Sequence, residues 1–162
     1  MYYRLVNYPD VNKYNYSSLR VLLSGGAPIS PSLVKSIIKT FKCDYIQTYG
    51  MTETSPFLTM SILKDHLKSL PYEEQLKYMS TTGRKFKGVE LKVVNERGEQ
   101  VKANNREVGE IIVKGDTISK GYWNMPQETE KAFKNGWLYT GDMAVIDKEG
   151  YVTIIDRKDD MI

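Results

Sequence analysis

The chain has 162 residues, enough for one domain or for pieces of a larger one, and a chain of this length can bury roughly 70% of its unfolded surface. Its 23 basic and 20 acidic side chains leave a net charge of +3, too even a balance to indicate nucleic-acid binding. The sequence has neither the roughly 18 consecutive apolar residues of a membrane-spanning helix nor the apolar core of a signal peptide at its start, so it predicts a cytoplasmic protein, either cytosolic or peripheral to a membrane.

The first third of the chain predicts a strand, a helix and a second strand. Residues 19–24 are a short apolar run that ends in paired glycines, typical of a buried strand that leads into a turn. Ser30 followed by Pro31 predicts the start of a helix, and apolar residues at helical spacing continue it to Phe41. Residues 44–49 predict the next strand. This order predicts a parallel crossover, and ligands of such sheets bind beyond the carboxyl ends of the strands.

The remainder of the chain changes from helices to antiparallel strands. Residues 64–79 predict two short surface helices separated by Pro71. From about Gly88 the patterns predict a short helix at 126–133 and strands at 89–93, 110–114, 143–147 and 151–156. We therefore predict an α+β fold. An α/β portion with parallel strands, at 1–82, precedes a mostly antiparallel, distorted barrel-like β portion at 83–162.

Cysteine and histidine each occur once, and neither predicts a site. Cys43 has no His or Cys partner nearby in the sequence, which argues against a disulfide or a metal site, so we expect it to pack as a small apolar residue. His66 lies in a lysine-rich stretch and is predicted to face solvent without a catalytic role.

Residues 48–54, Thr-Tyr-Gly-Met-Thr-Glu-Thr, follow the second predicted strand and place a hydroxyl beside a carboxylate. The hydroxyl of Thr52 can hold a phosphate oxygen, and the carboxylate of Glu53 can hold magnesium. Magnesium in nucleotide sites typically takes one or two carboxylates and completes its shell with water and phosphate oxygens. A single well-placed glutamate therefore suffices.

Four short segments occur together in this chain: Ser24-Gly25-Gly26-Ala27-Pro28, the 48–54 stretch, Tyr139-Thr140-Gly141-Asp142 and Asp156-Arg157-Lys158-Asp159. In this order they resemble the AMP-forming acyl-CoA synthetases, the adenylating superfamily that also contains firefly luciferase, coumarate ligases and peptide-synthetase adenylation domains. The resemblance runs from about Leu19 to the last residue and includes 108–111 and 119–124. It implies that a carboxylic acid is activated with ATP as an acyl-adenylate and then transferred to CoA.

The resemblance also implies an adenine slot. Its first wall is Gly25, Gly26 and Ala27, where small residues let the backbone approach a flat base. Its second wall is formed by Gln47, Thr48 and Tyr49, of which the tyrosine offers an aromatic face for stacking. The family often has glycine at the position of Thr48, so this chain departs from the pattern there.

The remaining roles implied by the resemblance concern ribose, phosphate, metal and hinge. Asp142 accepts both ribose hydroxyls, since a carboxylate is acceptor-only and suits a vicinal diol. Arg157 reaches the ribose or a phosphate. Thr52 and Glu53 are the implied catalytic residues, with Glu53 as the Mg²⁺ ligand. Asp159 is the hinge about which a small C-terminal domain rotates between the two half-reactions.

Two parts of the family pattern are not found in this chain. One is the Gly/Ser/Thr-rich loop that grips the β- and γ-phosphates, and the other is the catalytic lysine. Residues 80–85 mimic the loop but follow the Thr-Glu motif, so we interpret them as the domain junction. The chain is therefore interpreted as a truncated part of a larger enzyme that is inactive alone. Sheet edges bared in this way also predict self-association.

The identity of the acid and of the acceptor stays open at this stage. A fatty acid is the predicted substrate, while an aryl-acid, coumarate-type or succinylbenzoate ligase fits the same motifs. An adenylation domain that loads a carrier protein is a further alternative. From a different class, the chain could be a non-catalytic nucleotide-binding or interaction module, or a domain whose motifs are vestigial.

Overall fold

The computed structural model describes residues 1–160 and divides the strands between two sheets. The first sheet contains, in chain order, β1 (Val21–Ser24), β2 (Asp44–Gly50), β3 (Phe57–Met60) and β4 (Arg84–Lys85). β1 and β2 are parallel, and the other neighbours are antiparallel. The predicted crossover is confirmed, whereas β3 and β4 were not predicted, because they are short and their sequences do not alternate between apolar and polar residues.

Within the described part of the chain, four α-helices accompany the sheets: α1 (Tyr2–Val6), α2 (Pro31–Phe41), α3 (Tyr72–Met79) and α4 (Pro126–Ala132). Short 3₁₀ helices occur at Val11–Lys13, Thr52–Thr54, Asp65–Ser69 and Lys158–Asp160. α2 is the crossover helix. It begins as predicted, because the Ser30 hydroxyl accepts a hydrogen bond from Leu33 N at 3.2 Å and Pro31 occupies the first turn.

The second sheet is antiparallel and contains β5 (Val89–Val94), β6 (Gly109–Gly115), β7 (Phe133–Lys134), β8 (Trp137–Ile146) and β9 (Val152–Arg157). β8 is its centre. It pairs with β6, while β7 lies beside its first residues and β9 beside its last. The strand predicted at 143–147 is present, but its predicted first residue is wrong, since β8 begins at Trp137. The α+β prediction with a curled antiparallel portion is confirmed.

Each sheet has a core, and a strand of the first sheet also packs into the core of the second. α2 buries Val34, Ile37 and Phe41 in the first core, together with Cys43, which packs as a small apolar residue as predicted. Leu58 of β3 is buried in the second core, among side chains of β5, β6, β8 and β9. The two sheets are therefore packed against each other, with no solvent layer between β3 and the second core. The division into two domains stays a prediction.

The junction between the sheets runs through residues 80–88. Val152 N of β9 donates to Gly83 O at 2.8 Å, and Phe86 N donates to Leu58 O at 2.7 Å. Buried Tyr151 adds a side-chain link, because its hydroxyl donates to Ile62 O at 2.8 Å and accepts from Lys64 N at 3.1 Å. The hairpin of β8 and β9 is thus fixed to the segment that leaves β3.

Three surface observations complete the fold. His66 has a side chain that is 60% exposed, as predicted, with Nε2 3.1 Å from Glu149 Oε2. β1 lies at the edge of its sheet and exposes Val21 and Leu23, so self-association through this edge stays a prediction. Within residues 1–160, none of the helices is long and apolar enough to cross a membrane.

We predict that Tyr151→Phe lowers the free energy of unfolding by about 1–3 kcal/mol, because it leaves the Ile62 carbonyl and the Lys64 amide without their shared partner at the junction. Urea denaturation followed by circular dichroism measures this loss. Tyr3→Phe, at a residue that is 70% exposed, is the matched control and should change stability by less than about 0.5 kcal/mol. Equal stability of the two variants would contradict the assignment of Tyr151 as the link between the sheets.

Candidate functional site

A cavity of about 410 Å³ lies where the two sheets meet, beyond the carboxyl ends of β1 and β2. Its walls come from segments that are far apart in the sequence: 26–28, 47–51, Ser80 with Thr82, Asp142, and 153–157. Such a position is where parallel strands commonly bind ligands. The structure therefore offers a concave site that both sheets build.

The structure brings most of the sequence-predicted binding residues to this cavity. Those that line it are Gly26, Ala27, Gln47, Thr48, Tyr49, Asp142 and Arg157. Four other predicted residues do not line it, namely Gly25, Thr52, Glu53 and Asp159. The predicted binding roles, and the predicted hinge role of Asp159, stay predictions, because the cavity shows where the side chains lie and not what they do.

Two polar side chains of β2 fasten the loop that follows β1. Buried Gln47 donates from Nε2 to Ala27 O at 2.8 Å and accepts from the Tyr45 hydroxyl at 2.6 Å. Burial raises the pKa of Tyr45 to about 12, so this phenol stays a neutral donor. Thr48 donates from Oγ1 to Ser24 O at 2.9 Å. The loop is therefore held as a fixed wall of the cavity.

Thr48 also explains the glycine that precedes that wall. A Cβ atom on Gly25 would lie 2.7 Å from Thr48 Oγ1 and 3.1 Å from Thr48 O. These distances are shorter than van der Waals contact, so the threonine hydroxyl occupies the space that a larger residue at position 25 would need. Where the family often has glycine, this chain uses the threonine side chain to brace β1 against β2.

A carboxylate held from both sheets is the main polar feature of the cavity. Asp142 is only 6% exposed, and its two oxygens have different partners. The Tyr49 hydroxyl donates to Oδ2 at 2.5 Å, and Arg157 Nη1 donates to Oδ1 at 3.0 Å. Burial, and then the bond to Asp142, raise the pKa of Tyr49, so this phenol stays protonated and donates. The bond to Asp142, and then its charge, raise the pKa of Arg157.

A bulge in β8 places Asp142 at the cavity. Glu110 pairs with Met143 and Ile112 pairs with Tyr139, so the three residues 140–142 lie opposite the single residue Ile111. A bulge of this kind bends a strand and redirects its side chains. Gly141 has φ +74°, a left-handed conformation that glycine adopts without steric cost. The sequence Thr-Gly-Asp therefore forms a bulge within a strand.

Sequence analysis missed one polar residue next to this bulge. Glu110 of β6 is 7% exposed, and its carboxylate accepts from Gly141 N at 3.1 Å and from Lys158 Nζ at 2.8 Å. A charged residue inside an apolar strand, Gly-Glu-Ile-Ile-Val, was the available signal. It indicates a buried ion pair, although the sequence alone does not identify the partner.

The Thr52–Thr54 helix follows Met51, which lines the cavity, and is hydrogen-bonded to a loop of the β portion. A Cβ on Gly50 would come within 1.6 Å of Pro56 O, so the chain can turn back here only at a glycine. The Tyr122 hydroxyl donates to Glu53 Oε1 at 2.9 Å, and Ser119 N donates to Glu53 O at 2.7 Å. These bonds link the helix to the 119–124 loop.

Glu53 is the predicted protein ligand for a magnesium ion. Among residues 1–160, no group of three or more His, Cys, Asp or Glu side chains is placed to hold a metal ion. One carboxylate fits a Mg²⁺ ion that takes its other ligands from phosphate oxygens and water, as is usual in nucleotide sites. Glu53 therefore fits a metal that arrives with a nucleotide and does not fit a resident metal centre.

Comparison with known proteins relates the chain to a large group of enzymes. The family described as AMP-binding enzyme matches residues 1–123. The chain is 36% identical over 162 residues to the medium/long-chain-fatty-acid–CoA ligase FadD8 of Mycobacterium tuberculosis, covering 100% of this chain and 27% of that protein. It is 38% identical over 159 residues to 4-coumarate–CoA ligase 1 of Glycine max, covering 95% of this chain and 51% of that protein.

Solved structures show the same fold. The amide bond synthetase McbA from Marinactinospora thermotolerans matches with a TM-score of 0.81 and 28% identity, over 97% of this chain and 30% of that one. The anthranilate CoA ligase AuaEII in complex with anthranoyl-AMP matches with a TM-score of 0.83 over 99% of this chain and 29% of that one. Its identity is 24%, so this second likeness concerns the fold alone. The chain spans about three-tenths of either structure.

We predict that Gly25→Ala destabilises the chain by about 1–3 kcal/mol through overpacking against Thr48. Thr48→Ala removes the hydroxyl nearest to the added methyl group, so the double variant should lose less stability than the sum of the two single variants. Chemical denaturation of all four proteins gives the coupling energy, which we expect to be at least about 0.5 kcal/mol. Strict additivity would contradict the steric account of Gly25.

Proposed function

The chain belongs to the family of AMP-binding enzymes, and we propose that it supplies the nucleotide site of an ATP-dependent, AMP-forming acid–thiol ligase. In this proposal the enzyme activates a carboxylic acid as an acyl-adenylate and transfers the acyl group to CoA. The observation that carries it is the Asp142 carboxylate, which reaches the cavity between Tyr49 and Arg157.

The geometry of this carboxylate suits a ribose. Each carboxylate oxygen can accept two hydrogen bonds, and Asp142 uses one on each oxygen, for Tyr49 and for Arg157. One further acceptor position on each oxygen therefore matches the two hydroxyls of a vicinal diol. The Tyr49 ring would then offer its face to the adenine, opposite the small residues Gly26 and Ala27.

We assign the phosphate end of the nucleotide to Arg157 and to the Thr52–Thr54 helix. Adenylation expels pyrophosphate, and cations and hydrogen-bond donors stabilise the charge that develops in such steps. Arg157 supplies a permanent cation at the cavity, and Thr52 supplies a hydroxyl beside Glu53. A bound Mg²⁺ would neutralise phosphate charge, and Glu53 is the residue that would hold it.

A fatty acid is the proposed acyl donor. Several relatives carry that activity in their names, including the long-chain-fatty-acid–CoA ligase of Thermus thermophilus, which is 36% identical over 159 residues. The chain covers 29% of that protein, so most of an acid pocket would lie in other parts of the enzyme. Gly50 and Met51 border the cavity on the side that would face the acid. The relative from Glycine max keeps an aryl acid as the alternative substrate.

We predict that Asp142→Asn weakens AMP binding about 10- to 100-fold, because a hydrogen bond to a charged group contributes about 1.5–3 kcal/mol. Isothermal titration of AMP and of adenine separates the two parts of the ligand. Adenine lacks ribose, so its affinity should be unchanged, and Glu128→Gln on the surface should bind AMP as the wild type does. Absence of AMP binding to the wild-type chain, or equal affinities for Asp142→Asn, would contradict the proposed nucleotide site.

We also predict that the 162-residue chain alone releases no pyrophosphate above a blank when mixed with ATP, Mg²⁺ and a fatty acid. The family's phosphate-gripping loop and catalytic lysine are not found in it, and residues that act as a unit lose nearly all activity when part of the unit is removed. A coupled pyrophosphate assay, with a full-length fatty-acid–CoA ligase as positive control, makes the measurement. Release above the blank would contradict this prediction and would favour a self-sufficient enzyme.

A further inference from the structure

We propose that Glu110 is a positioning residue of the nucleotide site, acting on the cavity through the backbone before Asp142 and through the segment that carries Arg157. Glu110 does not line the cavity itself. The inference rests on the proposed function, because it concerns how the same site is held in shape for ribose.

The burial of Glu110 requires an explanation in terms of its partners. A carboxylate that is 7% exposed in an apolar strand is costly unless its oxygens accept hydrogen bonds from well-placed donors. Both oxygens do so, Oε1 from Gly141 N at 3.1 Å and Oε2 from Lys158 Nζ at 2.8 Å. Gly141 belongs to β8 and Lys158 directly follows β9. A single side chain of β6 is therefore bonded next to both Asp142 and Arg157.

The first contact fixes the bulge. Residues 140–142 lie opposite the single residue Ile111, so the regular ladder between β6 and β8 is interrupted there. The Ile111 carbonyl accepts from Thr140 Oγ1 at 2.9 Å. The Gly141 amide donates its hydrogen bond to the Glu110 carboxylate and not to a carbonyl of the neighbouring strand. Because Gly141 directly precedes Asp142, its fixed amide also fixes the direction in which the Asp142 side chain leaves the strand.

The second contact fixes the end of β9. Arg157 and Lys158 are consecutive, and their side chains reach different carboxylates, Asp142 for the arginine and Glu110 for the lysine. Both cations are about half exposed, with side-chain exposures of 56% and 53%, whereas both carboxylates are buried. The bond to Glu110 raises the pKa of Lys158, so the lysine remains an ammonium group. Glu110 thereby holds the backbone from which Arg157 extends.

A role in stability alone does not account for a glutamate at this position. Buried ion pairs are often replaceable by apolar residues with no loss of stability, and the following residues of β6, Ile111 and Ile112, are apolar. An apolar side chain cannot accept hydrogen bonds from the Gly141 amide and the Lys158 ammonium group, as Glu110 does. We therefore place the importance of Glu110 in the geometry of Asp142 and Arg157.

The first test compares ligands with and without ribose on the 162-residue chain. We expect Glu110→Ala to bind AMP about tenfold more weakly than the wild type, which corresponds to about 1.4 kcal/mol. The affinity for adenine should be unchanged. Lys158→Met, which removes one contact, should lose less than Glu110→Ala, and Glu90→Ala, at an exposed glutamate of β5, is the matched control. An equal loss for AMP and adenine would show a general structural role and overturn the proposal.

The second test needs no nucleotide and is read by NMR. In folded Glu110→Ala, we expect the Gly141 amide to exchange its hydrogen faster and the side-chain carboxyl carbon signal of Asp142 to shift. Unchanged exchange and an unchanged Asp142 signal would overturn the positioning role. If the wild-type chain binds no AMP, the proposed function fails, while this measurement still decides whether Glu110 controls Asp142.

Discussion

The structure depends on one buried carboxylate that is held from two sheets. Asp142 receives a hydrogen bond from Tyr49 of the first sheet and from Arg157 of the second. Because a buried charge is tolerated only with close partners, these contacts require the sheets to meet at this point. The cavity lies at that meeting point, and Leu58 packs from the first sheet into the second core. The polar site and the apolar core therefore support the same arrangement of the two sheets.

The site is built where regular structure is interrupted. β2 can turn back only because Gly50 lets the Pro56 carbonyl approach, and β8 delivers Asp142 through the bulge at Gly141. At each interruption a side chain forms a hydrogen bond with the displaced backbone. Thr54 Oγ1 bonds to Pro56 O, and Glu110 bonds to Gly141 N. These side chains hold the backbone next to residues that line the cavity.

Local patterns in the sequence predicted much of the fold, and the resemblance to the adenylating enzymes pointed to several of the residues that line the cavity. The strand, helix and strand before residue 50 follow from apolar spacing and from the Ser30-Pro31 helix start, which are local signals. The start of β8 was missed, because Gly141 and Asp142 resemble a turn when their partner strand is unknown. The contacts of Glu53 with Tyr122 and of Glu110 with Lys158 join residues far apart in the chain, so no local pattern contains them.

The central claim is that the cavity between the sheets holds adenosine through the Asp142 carboxylate. A crystal structure of the chain with AMP tests it most directly. Our account predicts that the nucleotide occupies this cavity, with both ribose hydroxyls within about 3 Å of the Asp142 oxygens and the base against Tyr49. Nucleotide bound elsewhere, or bound in the cavity with its ribose turned away from Asp142, would contradict it.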